Sequence, residues 1–366
     1  MASELRAEFM LDPEVVYLDH GCYGACPLVV FERYQAWQAE LERRPVEFLG
    51  RRLEGLLAEA RAAFATYVGA QADDLVFVEN TTAGINVAAR ALDLRPGDEV
   101  LSTDLEYGAL NYMWERICAQ ADARFVRAPV RLPASGADEI ADAVWAQAGP
   151  RTKAVFVSHV TSSTALVLPA AELCRRACEA GVVSIVDGAH VPGQVPLDLS
   201  SFGADVYVGN CHKWLCAPKG AGFLHVRPEW QERVDGVITS WGYEEPATFI
   251  SRTERQGTRD SAAYLSVPAA LAFFREHDVR ERCVALCREA RRDLCALLRT
   301  DPIAPEAMVL QMASVRLPAP DTGLNRRLFD ERRIEIPVSD DGTLLRLSIA
   351  GYNDRHDVDR LLDALA

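Results

Sequence analysis

Seven short apolar runs recur along the middle of the chain. They are "LVFVE" (75–79), "EVLST" (99–103), "RFVRA" (124–128), "AVFVS" (154–158), "VSIVD" (183–187), "DVYVG" (205–209) and "GFLHV" (222–226). Each is too short for a typical helix and rich in β-branched residues. Most lack the alternation of a strand with one wet face, so they predict strands covered on both sides. Stretches with helical period lie between several of them, at 82–92 and 170–180 for example. Upstream, 51–68 sets Leu53, Leu56, Leu57, Ala60, Phe64 and Tyr67 on one stripe, the mark of an amphipathic helix. Buried strands alternating with helices predict an α/β fold around a mostly parallel sheet. In such sheets ligands sit outside the carboxyl ends of the strands.

After residue 230 the rhythm changes. Residues 238–261 are polar and without clear period, which predicts a long functional loop or crossover. Helices are expected at 264–276, 279–299, 322–332 and 355–365, with strands at 311–316 and 344–349. The pattern divides the chain into a large domain, 17–256, and a smaller α+β domain made of 1–16 and 257–366.

Composition narrows the partners. A net charge of −14 over 366 residues argues against nucleic acid and anionic membrane, whose binding rests on clustered Lys and Arg. The longest uncharged stretch, 154–171, is interrupted by "SHVTSST" and a proline, so no membrane span is expected. No charged segment followed by an apolar core opens the chain, which predicts a cytoplasmic protein with reduced thiols. Of the ten cysteines, Cys283, Cys287 and Cys295 share a helical face and read as small buried hydrophobes. Neither Cys22/Cys26 nor Cys174/Cys178 has zinc-knuckle spacing, and no metal site is expected.

Three strand ends carry chemistry. "FVENTTAGIN" (77–86) runs from strand through Asn-Thr-Thr into a helix, where capping side chains and free N–H groups suit an anion. Asp187 ends its apolar run, and His190 follows three residues on. Lys213 comes just after "DVYVG", between His212 and Trp214, where weak solvation would lower its pKa as a Schiff-base lysine requires. Singly, these read as a cap, a turn carboxylate, a core histidine and a surface lysine. Together they match pyridoxal 5'-phosphate, which needs a lysine for its aldehyde, a carboxylate for its pyridinium nitrogen and an anion site for its phosphate. The signatures of a nucleotide P-loop, a dinucleotide fold and a serine-hydrolase elbow are missing.

The chain resembles the class V aminotransferase group of fold type I pyridoxal phosphate enzymes, above all its isopenicillin N epimerase-like and C–S lyase-like members. The likeness is carried by "YLDHGCYGACP" (17–27), "ENTTAGIN" (79–86), "DLEYGA" (104–109), "SHVTSSTALVLP" (158–169), "VDGAHVPG" (186–193), "HKWLCAPKGAGFL" (212–224), "QGTRD" (256–260) and "LRLSIAGYN" (345–353). It implies a seven-stranded sheet and a homodimer. It implies that Lys213 carries the cofactor and moves the substrate Cα proton, that Asp187 pairs with the ring nitrogen, and that His190 lies by the phenolic oxygen. Tyr107 would stack on the ring. Thr81, Thr82, Asn210 and His212 would hold the phosphate, with Ser162 nearby and Thr258 reaching the neighbouring subunit's phosphate. Arg346 would grip the substrate α-carboxylate, while His20, Gly21 and Tyr23 close over it and Trp241 lines the entrance. Asp19 and Cys22 stand where the epimerase members commonly have asparagine and serine, and Asn210 replaces a serine. Cys22 and Cys211 could approach the site, but packing is their expected role. The implied substrate is an α-amino acid or a conjugate bearing one. β-Elimination from a cysteine S-conjugate, in specialised biosynthesis, is the leading expectation. Epimerisation, transamination and oxidative decarboxylation stay open, with Tyr107, His20 and Tyr23 as candidate proton donors opposite Lys213. A ligand-sensing regulator on the same fold is the contrasting class; the acidic charge and the lack of an appended DNA-binding segment weigh against it.

Overall fold

The computed structural model describes residues 4–366; residues 1–3 of the expected N-terminal arm lie outside the described residues. Its strands are β1 (Val16–Tyr17), β2 (Leu75–Val78), β3 (Glu99–Thr103), β4 (Arg124–Ala128), β5 (Thr152–Ser158), β6 (Val183–Gly188), β7 (Val206–Asn210), β8 (Gly222–Val226), β9 (Met312–Arg316), β10 (Ile334–Glu335) and β11 (Leu344–Ser348). All seven apolar runs form strands, and together they make one sheet of order β2-β8-β7-β6-β5-β3-β4. Only β8 runs against its neighbours.

The pleat explains why these strands are apolar throughout. Successive side chains point to opposite faces, and both faces are covered. Val76, Val78, Phe156, Ile185, Val208 and Leu224 join one core with Ile85, Leu110 and Trp114 from the helices Thr81–Arg90 and Gly108–Gln120. Phe77, Val155, Val157, Val186, Tyr207 and Phe223 join the other, against Leu57 and Phe64 of Leu53–Val68 and Leu173 of Ala170–Ala180. Strand β4 lies at the sheet edge, and its charged residues Arg124 and Arg127 are exposed.

A third core gathers distant segments. Val16 and Leu18 pack with Cys283, Cys287 and Leu294 of Arg280–Leu298, with Val315 of β9, with Leu345 and Leu347 of β11, and with Val358 and Leu361 of Arg355–Leu365. Strand β1 pairs in parallel with β10, and β11 antiparallel with β9. Alternation along β11 turns Leu345 and Leu347 into this core and leaves Arg346 and Ser348 on the other face.

The 238–261 segment departs from expectation. It holds the helix Phe249–Glu254, begun by a reciprocal Thr248–Ser251 capping box, with Phe249 and Thr253 buried. Six residues are too few for a periodic signal. The helix Leu28–Arg43 also gives no clear sequence pattern, because among its sixteen residues only Val30 and Trp37 are buried. No helix among the described residues is long and apolar enough to cross a membrane.

Candidate active site

The carboxyl ends of β6 and β7 bring the predicted lysine and carboxylate to one place. Asp187 is buried at the end of β6, and its Oδ1 accepts the Ala189 amide at 2.8 Å. Burial raises its carboxyl pKa to about 6, opposed by that hydrogen bond and by the charge of Lys213. Lys213 lies three residues past the end of β7, and its Nζ is 3.0 Å from His190 Nε2. Desolvation, helped by the charge of Arg346, brings its amine down to about 8.

The neighbours of His190 fix its proton. Trp214 Nε1, which can only donate, reaches His190 Nδ1 at 3.3 Å. Nδ1 is therefore unprotonated, and a neutral ring must carry its hydrogen on Nε2. Burial, which pushes the His190 pKa well down, agrees. The Nε2–H then donates to Lys213 Nζ, which requires a free lone pair on the amine. The hydrogen bond favours the neutral amine, and a pKa lowered to about 8 brings that nucleophilic form closer to neutral pH. Gly193 makes this packing possible: at φ +89, a Cβ there would meet the Trp214 carbonyl carbon at 2.2 Å.

Beside this pair the helix Thr81–Arg90 opens at the end of β2. Asn80 caps it, its Oδ1 accepting the Ala83 amide at 2.9 Å. The Thr81 amide donates to Asn210 Oδ1 at 2.9 Å, tying the helix start to the end of β7. Thr81 Oγ1 is buried without a hydrogen-bond partner. His212 bonds through Nδ1 to the Ala221 carbonyl at 3.1 Å, and burial holds it neutral with a pKa near 4.

The facing wall comes from the chain's two ends. Arg346 on β11 is buried and bonds Ser162, Asp19 and Cys22. His20 donates from Nε2 to the Lys213 carbonyl at 3.0 Å and accepts the Tyr352 hydroxyl at Nδ1, 2.9 Å away. Burial lowers its pKa to about 3, so it stays neutral. Gly24 lets the segment pass the lysine loop: at φ +69, a Cβ would sit 2.1 Å from the His212 carbonyl oxygen.

A profile of the family Aminotransferase class-V matches residues 16–294. The chain belongs to the class-V aminotransferase family. Isopenicillin N epimerase of Amycolatopsis lactamdurans is 40% identical over 98% of this chain and 96% of its own length. A probable chloroplastic L-cysteine desulfhydrase of Arabidopsis thaliana is 28% identical, over 100% of this chain and 85% of its own. The fold is shared with a C-DES variant solved with glycine covalently linked to its pyridoxal phosphate, at a TM-score of 0.86, 24% identity and 98% coverage of both chains.

The cofactor of this class-V enzyme is pyridoxal 5'-phosphate, and the residues present fit it. A buried lysine amine of lowered pKa, a buried carboxylate one strand away and an orphaned threonine hydroxyl at a helix start match the three ends of that molecule.

Several predicted residues are solvent-exposed in the single chain. Tyr107 precedes the helix Gly108–Gln120 and is 45% exposed; Tyr23 and Trp241 are 71% and 77% exposed. Thr258 is also on the surface, and Thr82 is half-buried one residue into its helix. Cys211 is fully buried, and burial raises its thiol pKa, so it packs as expected. His20 has both ring nitrogens engaged, so it would have to give up one of these bonds to pass a proton to substrate. Sequence reasoning missed Glu106. It is buried, accepts Thr103 Oγ1 at 2.7 Å and both the amide and hydroxyl of Ser158, and burial raises its pKa to about 7. Ser158 is the β-sheet register partner of Asp187, so a second carboxylate stands behind the first. The available signal was a glutamate three residues past a buried strand.

Proposed function

We propose that this enzyme inverts the configuration at Cα of an α-amino acid or an amino-acid-bearing conjugate, working as a homodimer. The observation that carries the chemistry is the buried contact between the Lys213 amine, its pKa lowered to about 8, and His190 Nε2 at 3.0 Å. The 40% likeness to an isopenicillin N epimerase across nearly the whole chain supports inversion as the outcome. When bound, pyridoxal phosphate supplies an electron sink that acidifies the Cα–H bond of an amino acid.

The chain's own residues do the rest. Lys213 holds the cofactor and, once released, takes the Cα proton on its side; its pKa near 8 suits a base working close to neutrality. Asp187 holds a proton on the cofactor ring nitrogen, the charge that its burial otherwise leaves unpaired. Asn80 and Thr81 present the helix start to the phosphate, beside Asn210 and His212. Arg346 takes the substrate α-carboxylate. Return of a proton to the opposite face falls to Tyr107 or Tyr23, whose rings are exposed. The exposure of Tyr107, Trp241 and Thr258 supports a second subunit completing each site.

β-Elimination is the second reading, favoured by the likeness to an L-cysteine desulfhydrase. Both reactions start from the same proton removal, so one experiment separates them. The holoenzyme is incubated in deuterated water with isopenicillin N, D- and L-amino acids and cysteine S-conjugates. Deuterium at Cα with inverted configuration is the expected result. Pyruvate and a free thiol, without inversion, would replace epimerisation by elimination. Light scattering on the same sample should give twice the chain mass.

A further inference from the structure

Arg346 does not meet the site as an open fork. A guanidinium has five N–H bonds. Nη1 gives its two to Ser162, to the carbonyl at 2.8 Å and the hydroxyl at 3.3 Å. Nη2 gives its two to Asp19 Oδ1 at 3.1 Å and Cys22 Sγ at 2.8 Å. Only Nε is left, buried and without a partner. The Arg346 and Asp19 side chains are 8% and 13% exposed, so this pair is shielded from solvent. An aspartate therefore already occupies part of the edge that an incoming carboxylate would need for a two-point contact.

Asp19 is also anchored. It directly precedes the short helix His20–Tyr23, whose His20 is pinned to Tyr352 and the Lys213 carbonyl. The Gly21 amide donates to Ser348 Oγ at 3.2 Å. With the backbone tied so close by, the carboxylate can leave Arg346 only by turning its side chain or losing its charge. The charged and titratable groups facing it are Arg346 and Cys22 in contact, Tyr17 and Glu335 on the paired strands β1 and β10, Tyr352 after β11, and Lys213 across the site.

We propose that Asp19 is an internal competitor for Arg346 that sets how tightly, and over what pH range, the site takes a substrate carboxylate. This rests on the reading of Arg346 as the carboxylate-gripping residue. Two carboxylates against one guanidinium repel each other, which favours protonation of Asp19 as the site fills. Burial already raises the Asp19 carboxyl, so the proton is within reach. The sign follows. At lower pH Asp19 is neutral and yields Arg346; as pH rises the competitor is charged and carboxylate binding weakens. Such a site disfavours small amino acids with only an α-carboxylate to offer and favours conjugates with further contacts.

Two probes, L-alanine and ethylamine, differ only in the carboxylate and isolate the effect. Their half-saturation concentrations are read from the absorption of the bound cofactor in wild type, Asp19→Asn and Arg346→Ala holoenzymes. Ionisation of the probe amines cancels in the ratio as long as the pH stays below both amine pKa values, where both amines are mostly protonated and their neutral fractions rise in parallel. In wild type the preference for L-alanine should fall as pH rises; a preference flat with pH would overturn the competitor without any variant. In Asp19→Asn it should rise by about tenfold or more and become flat with pH, the scale of one charged hydrogen bond. Arg346→Ala should abolish it. An unchanged or smaller preference in Asp19→Asn, with Arg346→Ala still losing it, would overturn the competitor and keep the arginine. A preference that survives Arg346→Ala would overturn both.

Discussion

The two walls of the site are built by different means. The cofactor wall comes from strand ends of one sheet: Thr81 after β2, Asp187 at the end of β6, Asn210 and Lys213 at and after β7. The substrate wall joins residues 19–24 to Ser162 and to 346–352, more than three hundred positions apart along the chain. The first wall holds groups shifted by burial, with the Thr81 hydroxyl left without a partner. The second is already paired with itself. A parallel sheet delivers its strand ends to one edge whatever lies in between. A wall made of chain termini has to be fastened by specific bonds, and the Arg346–Asp19 and His20–Tyr352 contacts are those fasteners.

The largest expected break is on the cofactor wall. If Asp187 pairs with the ring nitrogen as proposed, Asp187→Ala should lower cofactor affinity by about a hundredfold, the upper range for a buried charged hydrogen bond. Equilibrium titration of apoprotein with pyridoxal phosphate checks it. If affinity is unchanged, the carboxylate has another task.

A smaller effect, still on that wall, is set by pH. Only the neutral amine attacks an aldehyde, so capture of cofactor by apoprotein should speed up about tenfold per pH unit below about 8 and then level off. Stopped-flow absorbance measures this. A lysine with an ordinary pKa would keep accelerating up to about pH 10.

The smallest effect belongs to the substrate wall. Tyr352→Phe deletes the hydroxyl bonded to His20 Nδ1 and should cost about 0.5–1.5 kcal/mol of stability. Denaturant unfolding checks this. Because His20 fastens the segment that carries Asp19, the half-saturation for an amino acid should shift a few-fold while cofactor affinity holds. Equal loss on both walls would mean that they are not built separately.

The same contrast decided what could be read in the sequence. Strands β2–β8 and the helix Ala170–Ala180 are written in local apolar patterns, so the sheet and the lysine and aspartate at its edge were legible. Glu106 was not, because only the folded sheet shows that Ser158 and Thr103 bury it. The occupancy of Arg346 by Asp19 was not, because nothing local links positions 19 and 346. The engagement of His20 was not legible for the same reason: Tyr352 and the Lys213 carbonyl meet its ring only in three dimensions. The helix Phe249–Glu254 was missed on length alone.

Lys213 is proposed to bear the cofactor. Reduction of the holoenzyme with borohydride, followed by digestion and mass spectrometry, tests it directly. A single pyridoxyl-modified peptide with the added mass on Lys213 is expected, and none from Lys213→Ala. A label on another lysine, or an unlabelled Lys213 in active enzyme, would contradict it.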